Sequence, residues 1–199
     1  MADDKRGRED QARNEERRQR AREIAAELER GDEPEPPIEP AELADIESAL
    51  KPLSFPATGA EIVETVGDRE IESIDGPYTV EQLVPDTDRE AFDTPASVRV
   101  RIQQPTVAAA MKQVTEAAVA LRNTELSGSQ REAYEKTFRE LRAIDADDED
   151  EGIQVIADWI VEQIDETGAL PGSRAVRRQA AKYCRSNDYE IRNDEWLGI

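Results

Sequence analysis

The chemistry most plainly written in this chain is cationic. The stretch "SRAVRRQAAKYCR", residues 173–185, carries Arg174, Arg177, Arg178, Lys182 and Arg185 and no acid, inside a chain of formal net charge -20. Guanidinium and ammonium groups at that density do binding chemistry, meeting carboxylates, phosphates or guanine edges. Reaction chemistry is poorly provided for. The chain contains no histidine, which removes the commonest general base near neutral pH, the usual zinc ligand and the partner of Ser-His and Cys-His nucleophiles. It has no G-x-x-x-x-G-K phosphate loop. One cysteine, Cys184, can build neither an intrachain disulfide nor a thiolate metal cage. With 46 acids in the chain, a pair of carboxylates identifies nothing. The run "DADDEDE", residues 145–151, has the charge of a calcium loop but not its spaced ligands or central glycine, so it reads as a solvated connector. No catalytic, cofactor-binding or metal-binding residue is assigned, and an enzyme built on carboxylates is the least favoured class of function.

A cationic cluster acts only if an element presents it. Placed on a helix at about 100° per residue, Val176, Ala180, Tyr183 and Cys184 fall on one side, while Arg174, Arg178, Lys182 and Arg185 gather opposite, with Arg177 at the margin. On the apolar side Cys184 is a packed structural residue rather than a reactive thiol. An apolar helix and a glycine-containing turn precede this one, the outline of a helix-turn-helix. Against DNA stand the long connector "TGALPG" (residues 167–172), the acidity of the whole chain and the salt inferred below, which suppresses phosphate binding steeply. Residues 144–170 contain ten acids and no base. The cationic face therefore has three readings: pairing with the chain's own acids, docking of an acidic protein partner or second subunit, and nucleic acid, the less favoured ligand.

The elements that hold this helix follow from hydrophobic periodicity. "PTVAAAMKQVTEAAVALRN" puts Val107, Met111, Val114, Ala118 and Leu121 at three-four spacing; a Ser129/Glu132 capping box precedes Tyr134, Phe138 and Leu141; and Ile153, Ile156, Ile160 and Ile164 form a stripe with Trp159 beside it. Ser173 is placed to cap the cationic helix. Four amphipathic helices with short connections predict a bundle over 105–199. The terminus "NDYEIRNDEWLGI" is expected to fold back and close a core.

Upstream, Leu43, Ile46 and Leu50 predict a helix stopped by Pro52, and Thr58 with Glu61 forms a capping box ahead of Ile62, Val63 and Val66. Ile71 and Ile74 alternate with polar residues up to an Asp75-Gly76 hairpin turn. Thr79/Gln82 and Thr94-Pro95 open two further helices, the second with Val98 and Ile102 inward. This is an α-α-β-β-α-α module over 41–104. Residues 1–30 balance nine basic against nine acidic side chains and are expected to form a disordered or solvated-helix arm, followed by the extended Pro/Glu linker "GDEPEPPIEP". The fold class is mainly α with a small β-hairpin, α+β overall.

The stretch "LSFPATGAEIVETVGDREIESIDGPYTVEQLV", ending in "FDTPASVRVRI", together with the opening "GREDQARNEERRQRAREIAAELERGDEPEPP", resembles a family of small acidic haloarchaeal proteins defined only as a domain of unknown function. The resemblance covers roughly the first half. It implies a small cytosolic protein, and it carries over no functional residue. The composition independently points to a halophile: acids outnumber bases 46 to 26, and 21 of those bases are arginine against 5 lysines. Self-repulsion at that charge is screened when salt shortens the Debye length to about 3 Å at 1 M. The opening "MADDKRGRED" has no apolar stretch, and runs such as "AAVAL" are far short of a membrane span. A cytoplasmic, non-enzymatic binding or regulatory protein acting through protein contacts is the expected function, with no cofactor and no membrane. A DNA-associated regulator using the cationic helix is the alternative.

Overall fold

A computed structural model describes residues 37–121, 126–144, 151–187 and 189. The arm expected at the N-terminus lies outside the described residues as far as position 36, as do the acid run at 145–150 and the terminus from 190 onward. The described part belongs to one compact unit that begins at Pro37.

The chain enters this unit through Ile38, which is buried and forms an isolated antiparallel bridge with Ser73. Helix α1 (Pro40–Ala49) buries Leu43 and Ile46, and Leu50 closes its C-terminus just before Pro52. Strand β1 (Ala57–Thr58) leads into α2 (Gly59–Val66), whose capping box forms as expected. The Glu61 amide donates to Thr58 Oγ1 at 3.3 Å and the Thr58 amide donates to Glu61 Oε2 at 2.7 Å. Gly59 is required by close approach, because a Cβ there would lie 2.0 Å from the Pro85 carbonyl oxygen. Strands β2 (Glu70–Ser73) and β3 (Gly76–Thr79) make the hairpin, with Ile71 opposite Tyr78 and Ser73 opposite Gly76. The turn thus consists of Ile74 and Asp75, one residue earlier than expected, with Gly76 at a positive φ of 111° after it. That shift leaves Ile71 buried and Ile74 71% exposed.

Helices α3 (Val80–Leu83) and α4 (Pro95–Ile102) complete the predicted set of elements, with strand β4 (Ala91–Phe92) between them. Strands β1 and β4 add a second two-stranded antiparallel pair, Ala57 opposite Phe92, that the sequence did not announce. Helices α1 to α4 and the two hairpin-like sheets surround one apolar cluster, including Leu50, Ile62, Ile71, Leu83, Val98 and Ile102.

The second cluster is built by α5 (Pro105–Val119), α6 (Gly128–Ile144), α7 (Glu151–Thr167) and α8 (Ser173–Ser186). The predicted stripes are its interior: Met111 and Val114 of α5, Tyr134, Phe138 and Leu141 of α6, and Ile153, Ile156, Ile160 and Ile164 of α7 are all buried. Helix α5 also turns Ala108 toward the first cluster, so one helix is shared by both cores. Two caps differ from expectation. Helix α6 starts early enough that the Ser127 hydroxyl, not Ser129, accepts from the Gln130 amide at 3.3 Å. Helix α8 has Gly172 at its N-cap, so Ser173 is its first residue and contributes no side-chain cap. The architecture is α+β and mainly helical, with eight helices and two small antiparallel sheets among the described residues.

Candidate binding face

Helix α8 is two-faced in the sense its spacing predicts. Val176, Ala180, Ala181 and Cys184 are buried in the second cluster, and Tyr183 is half-buried against it, stacked on Tyr189 with ring centroids 6.1 Å apart. The structural reading of Cys184 therefore holds. Arg174, Arg178, Lys182 and Arg185 are exposed, and Arg177 is half-buried at the margin. All five predicted residues sit on one helix, and four of them share its solvent face.

The described acids nearby do not neutralise that stripe. Among the described residues, Arg174, Arg178, Lys182 and Arg185 form no ion pair, although ion pairs are made elsewhere, such as Arg142 with Asp75 and Arg99 with Glu47. The nearest acid-bearing element, α7, packs directly against α8. With Ile153, Ile156, Ile160 and Ile164 turned inward, Asp158, Glu162, Asp165 and Glu166 are left exposed on the outer side.

Along this outer side runs an open groove of about 780 Å³, lined by the α7 residues Val155, Asp158, Trp159 and Glu162, by Gln113 of α5 and by Gln179 of α8. Its apolar floor is uncommon for this surface: Val155 is 43% exposed and Trp159 is half-buried. Asp158 is fixed by two amides, Gln113 Nε2 at 2.7 Å and Gln154 Nε2 at 2.8 Å. Gln179, which lines the groove, lies one residue from Arg178 and three from Lys182, so the acid-apolar groove and the cationic stripe are adjacent. Sequence periodicity identified Trp159 as flanking the α7 stripe, but not that it floors a groove.

A second charged centre was not legible in the sequence. Glu90 is 1% exposed, and its Oε1 accepts from Arg101 Nη2 at 2.8 Å and from Arg131 Nη1 at 2.9 Å. Arg101 also donates to Glu135 at 3.0 Å and lies over the Phe92 ring, 5.9 Å from its centroid. The partners come from β4's flank, α4 and α6, so the cluster ties elements around the first apolar cluster to the bundle. With its carboxylate already shared between two guanidiniums, Glu90 acts as an internal anchor.

Tyr134, at the centre of the bundle, donates its hydroxyl to the Pro171 carbonyl in the α7–α8 connector and accepts from Gln130 Nε2 at 3.0 Å. Burial pushes the hydroxyl up to about 12, with the Gln130 hydrogen bond pulling the other way. Tyr134 thus holds the connector that sets α8 on the bundle. Among the described residues no group of His, Cys, Asp or Glu is arranged to hold a metal ion, and no helix is long and apolar enough to cross a membrane.

Neither the curated proteins nor the solved structures contain a match to the chain. Residues 40–114, from the start of α1 to Val114 in α5, match the model of a family of unknown function, DUF5789, and this is the family that the first half of the chain resembles.

Proposed function

We propose that this is a non-enzymatic binding or regulatory protein of a halophile's cytoplasm, acting through protein contacts made by the face that α7 and α8 share. The observation that carries this reading is the exposed stripe of Arg174, Arg178, Lys182 and Arg185, which no described acid neutralises. Four solvated cations on one face of a chain of net charge -20 form a local field of opposite sign to the rest of the molecule. In molar salt such a stripe acts at contact range, where it orients an acidic surface and contributes more to specificity than to raw affinity. The adjacent Trp159 supplies the kind of aromatic anchor on which binding energy concentrates. The acidic, arginine-dominated composition supports the halophilic setting, where screening lets apolar contacts and close charge pairs dominate.

The second reading, a DNA-associated regulator, is favoured by one feature: the cationic face lies on the second of two helices joined by a glycine-containing connector, as in helix-turn-helix proteins. The acids exposed on α7 beside it oppose a phosphate backbone.

Proteins retained by the tagged chain from its own cell lysate in molar potassium chloride, compared between wild type and R174Q/R178Q/K182Q, test the first reading. Loss of the retained protein by at least tenfold in the variant is expected, and equal retention by both would overturn it. Duplex DNA titrated against both forms across a salt series is expected to give the same weak affinity and the same slope. A slope that falls by about one per cation removed would replace the first reading with the second.

A further inference from the structure

The charges of the two helices that make this face match each other. Helix α7 carries Glu151, Asp158, Glu162, Asp165 and Glu166 and no base; helix α8 carries Arg174, Arg177, Arg178, Lys182 and Arg185 and no acid. They are packed neighbours, yet the exposed members of the two sets do not pair with each other among the described residues. The molecule therefore presents an acidic stripe beside a cationic stripe, with the groove over Val155 and Trp159 along the acidic one.

A surface of this kind is complementary to itself. Turned by a two-fold rotation, the acidic α7 of one copy meets the cationic α8 of the other, and the reverse contact forms at the same time. From this arrangement we infer that a second copy of this chain is the occupant of the α7–α8 face, in a closed two-fold dimer. The inference rests on the protein-contact reading above and names its partner.

Three observations favour a second copy over other occupants. A purely acidic partner would satisfy α8 and be repelled by Asp158, Glu162, Asp165 and Glu166, whereas a second copy satisfies both stripes. The chain's own N-terminal segment, with nine basic and nine acidic residues in its first thirty, offers no net charge to either stripe. The groove also carries an apolar floor, and an arginine of the partner's α8 laid over Trp159 would gain a cation–π contact that survives salt.

Size-exclusion chromatography with light scattering at about 0.15 M potassium chloride, where charges more than about 8 Å apart are largely screened, is expected to give twice the 22.3 kDa chain mass. Two charge-reversed forms make the result specific. R178E/K182E leaves α8 with three bases and two acids beside an acidic α7, and E162R/D165R leaves α7 with three acids and two bases beside a cationic α8; all four residues are exposed. Each form alone is expected to be monomeric, and an equal mixture to recover the dimer as a one-to-one heterodimer. Should either reversal unfold the chain by circular dichroism, the milder R178Q/K182Q and E162Q/D165Q are read instead, with a dimer dissociation constant raised at least tenfold. A monomeric wild type, reversed forms that remain dimers, a mixture that stays monomeric, or a ladder of larger open oligomers would each overturn the two-fold dimer. If the wild type is monomeric while R174Q/R178Q/K182Q still loses its lysate partner, the dimer is wrong and the protein-contact reading stands; loss of neither defeats both.

Discussion

Glu90→Ala is expected to cost about 3–5 kcal/mol of folding stability, the range seen when one member of a buried ion pair is removed. The wild-type carboxylate lies at 1% exposure between Arg101 and Arg131. Arg101, whose side chain is only 11% exposed, would keep Glu135 alone. The geometry predicts a second property. Because the pair is buried, salt screens it little, so the loss measured by urea melts should be nearly the same at low and at molar potassium chloride. Surface pairs such as Arg99–Glu47, with both side chains more than one third exposed, should contribute little at either. A loss below about 1 kcal/mol for Glu90→Ala, or one that vanishes in salt, would mean that the cluster is not an internal anchor.

Phe138→Ala should cost a similar amount by another mechanism. Phe138 is fully buried at the centre of the bundle cluster, on the same face of α6 as Tyr134 and Leu141 and among the isoleucines of α7. Truncating it loses the transfer free energy of the ring and leaves a cavity that four helices on short connections cannot easily close, about 3–5 kcal/mol in total. Thermal melts should show a drop of roughly ten degrees for a chain of this size. A shift of only one or two degrees would show that the bundle collapses around the site, and that the packing described is not what holds α8 in place.

The sequence carried the helices well, because each one's buried face repeats at three-four spacing and needs only a local reading. Met111 and Val114, Phe138 and Leu141, Ile156 and Ile160 are core residues for that reason. The Thr58/Glu61 capping box was legible on the same grounds, since both partners lie within one turn. What escaped notice depends on residues distant in the chain. Strands β1 and β4 are two residues each and have no periodicity to display, and their pairing joins Ala57 to Phe92. Glu90 looks like any other acid until the fold brings Arg101 and Arg131 to it. The hairpin shifted by one residue because burying Ile71 and Tyr78's strand in register left Ile74 to the turn, where an apolar side chain gains nothing.

The candidate site divides in the same way. The two faces of α8 could be read from the spacing of Val176, Ala180 and Cys184 against Arg174, Arg178 and Lys182. Whether those cations pair with the acids of α7 just before them could not, because that depends on the rotation of α7 about its own axis. Its isoleucines decide the rotation. With Ile153, Ile156, Ile160 and Ile164 inward, Asp158, Glu162 and Asp165 face solvent, and among the described residues the four exposed cations of α8 pair with none of them.

A urea melt tests, without knowledge of any partner, whether the cationic stripe is left unpaired inside the chain. The variant R174Q/R178Q/K182Q/R185Q, compared with wild type at low protein concentration so that association adds little, removes four exposed cations and no buried contact. If the stripe serves binding rather than folding, the free energy of unfolding should stay within about 0.5 kcal/mol of wild type, as for other surface changes. A loss of more than about 2 kcal/mol would show that the stripe is paired inside the chain, and would contradict the binding face.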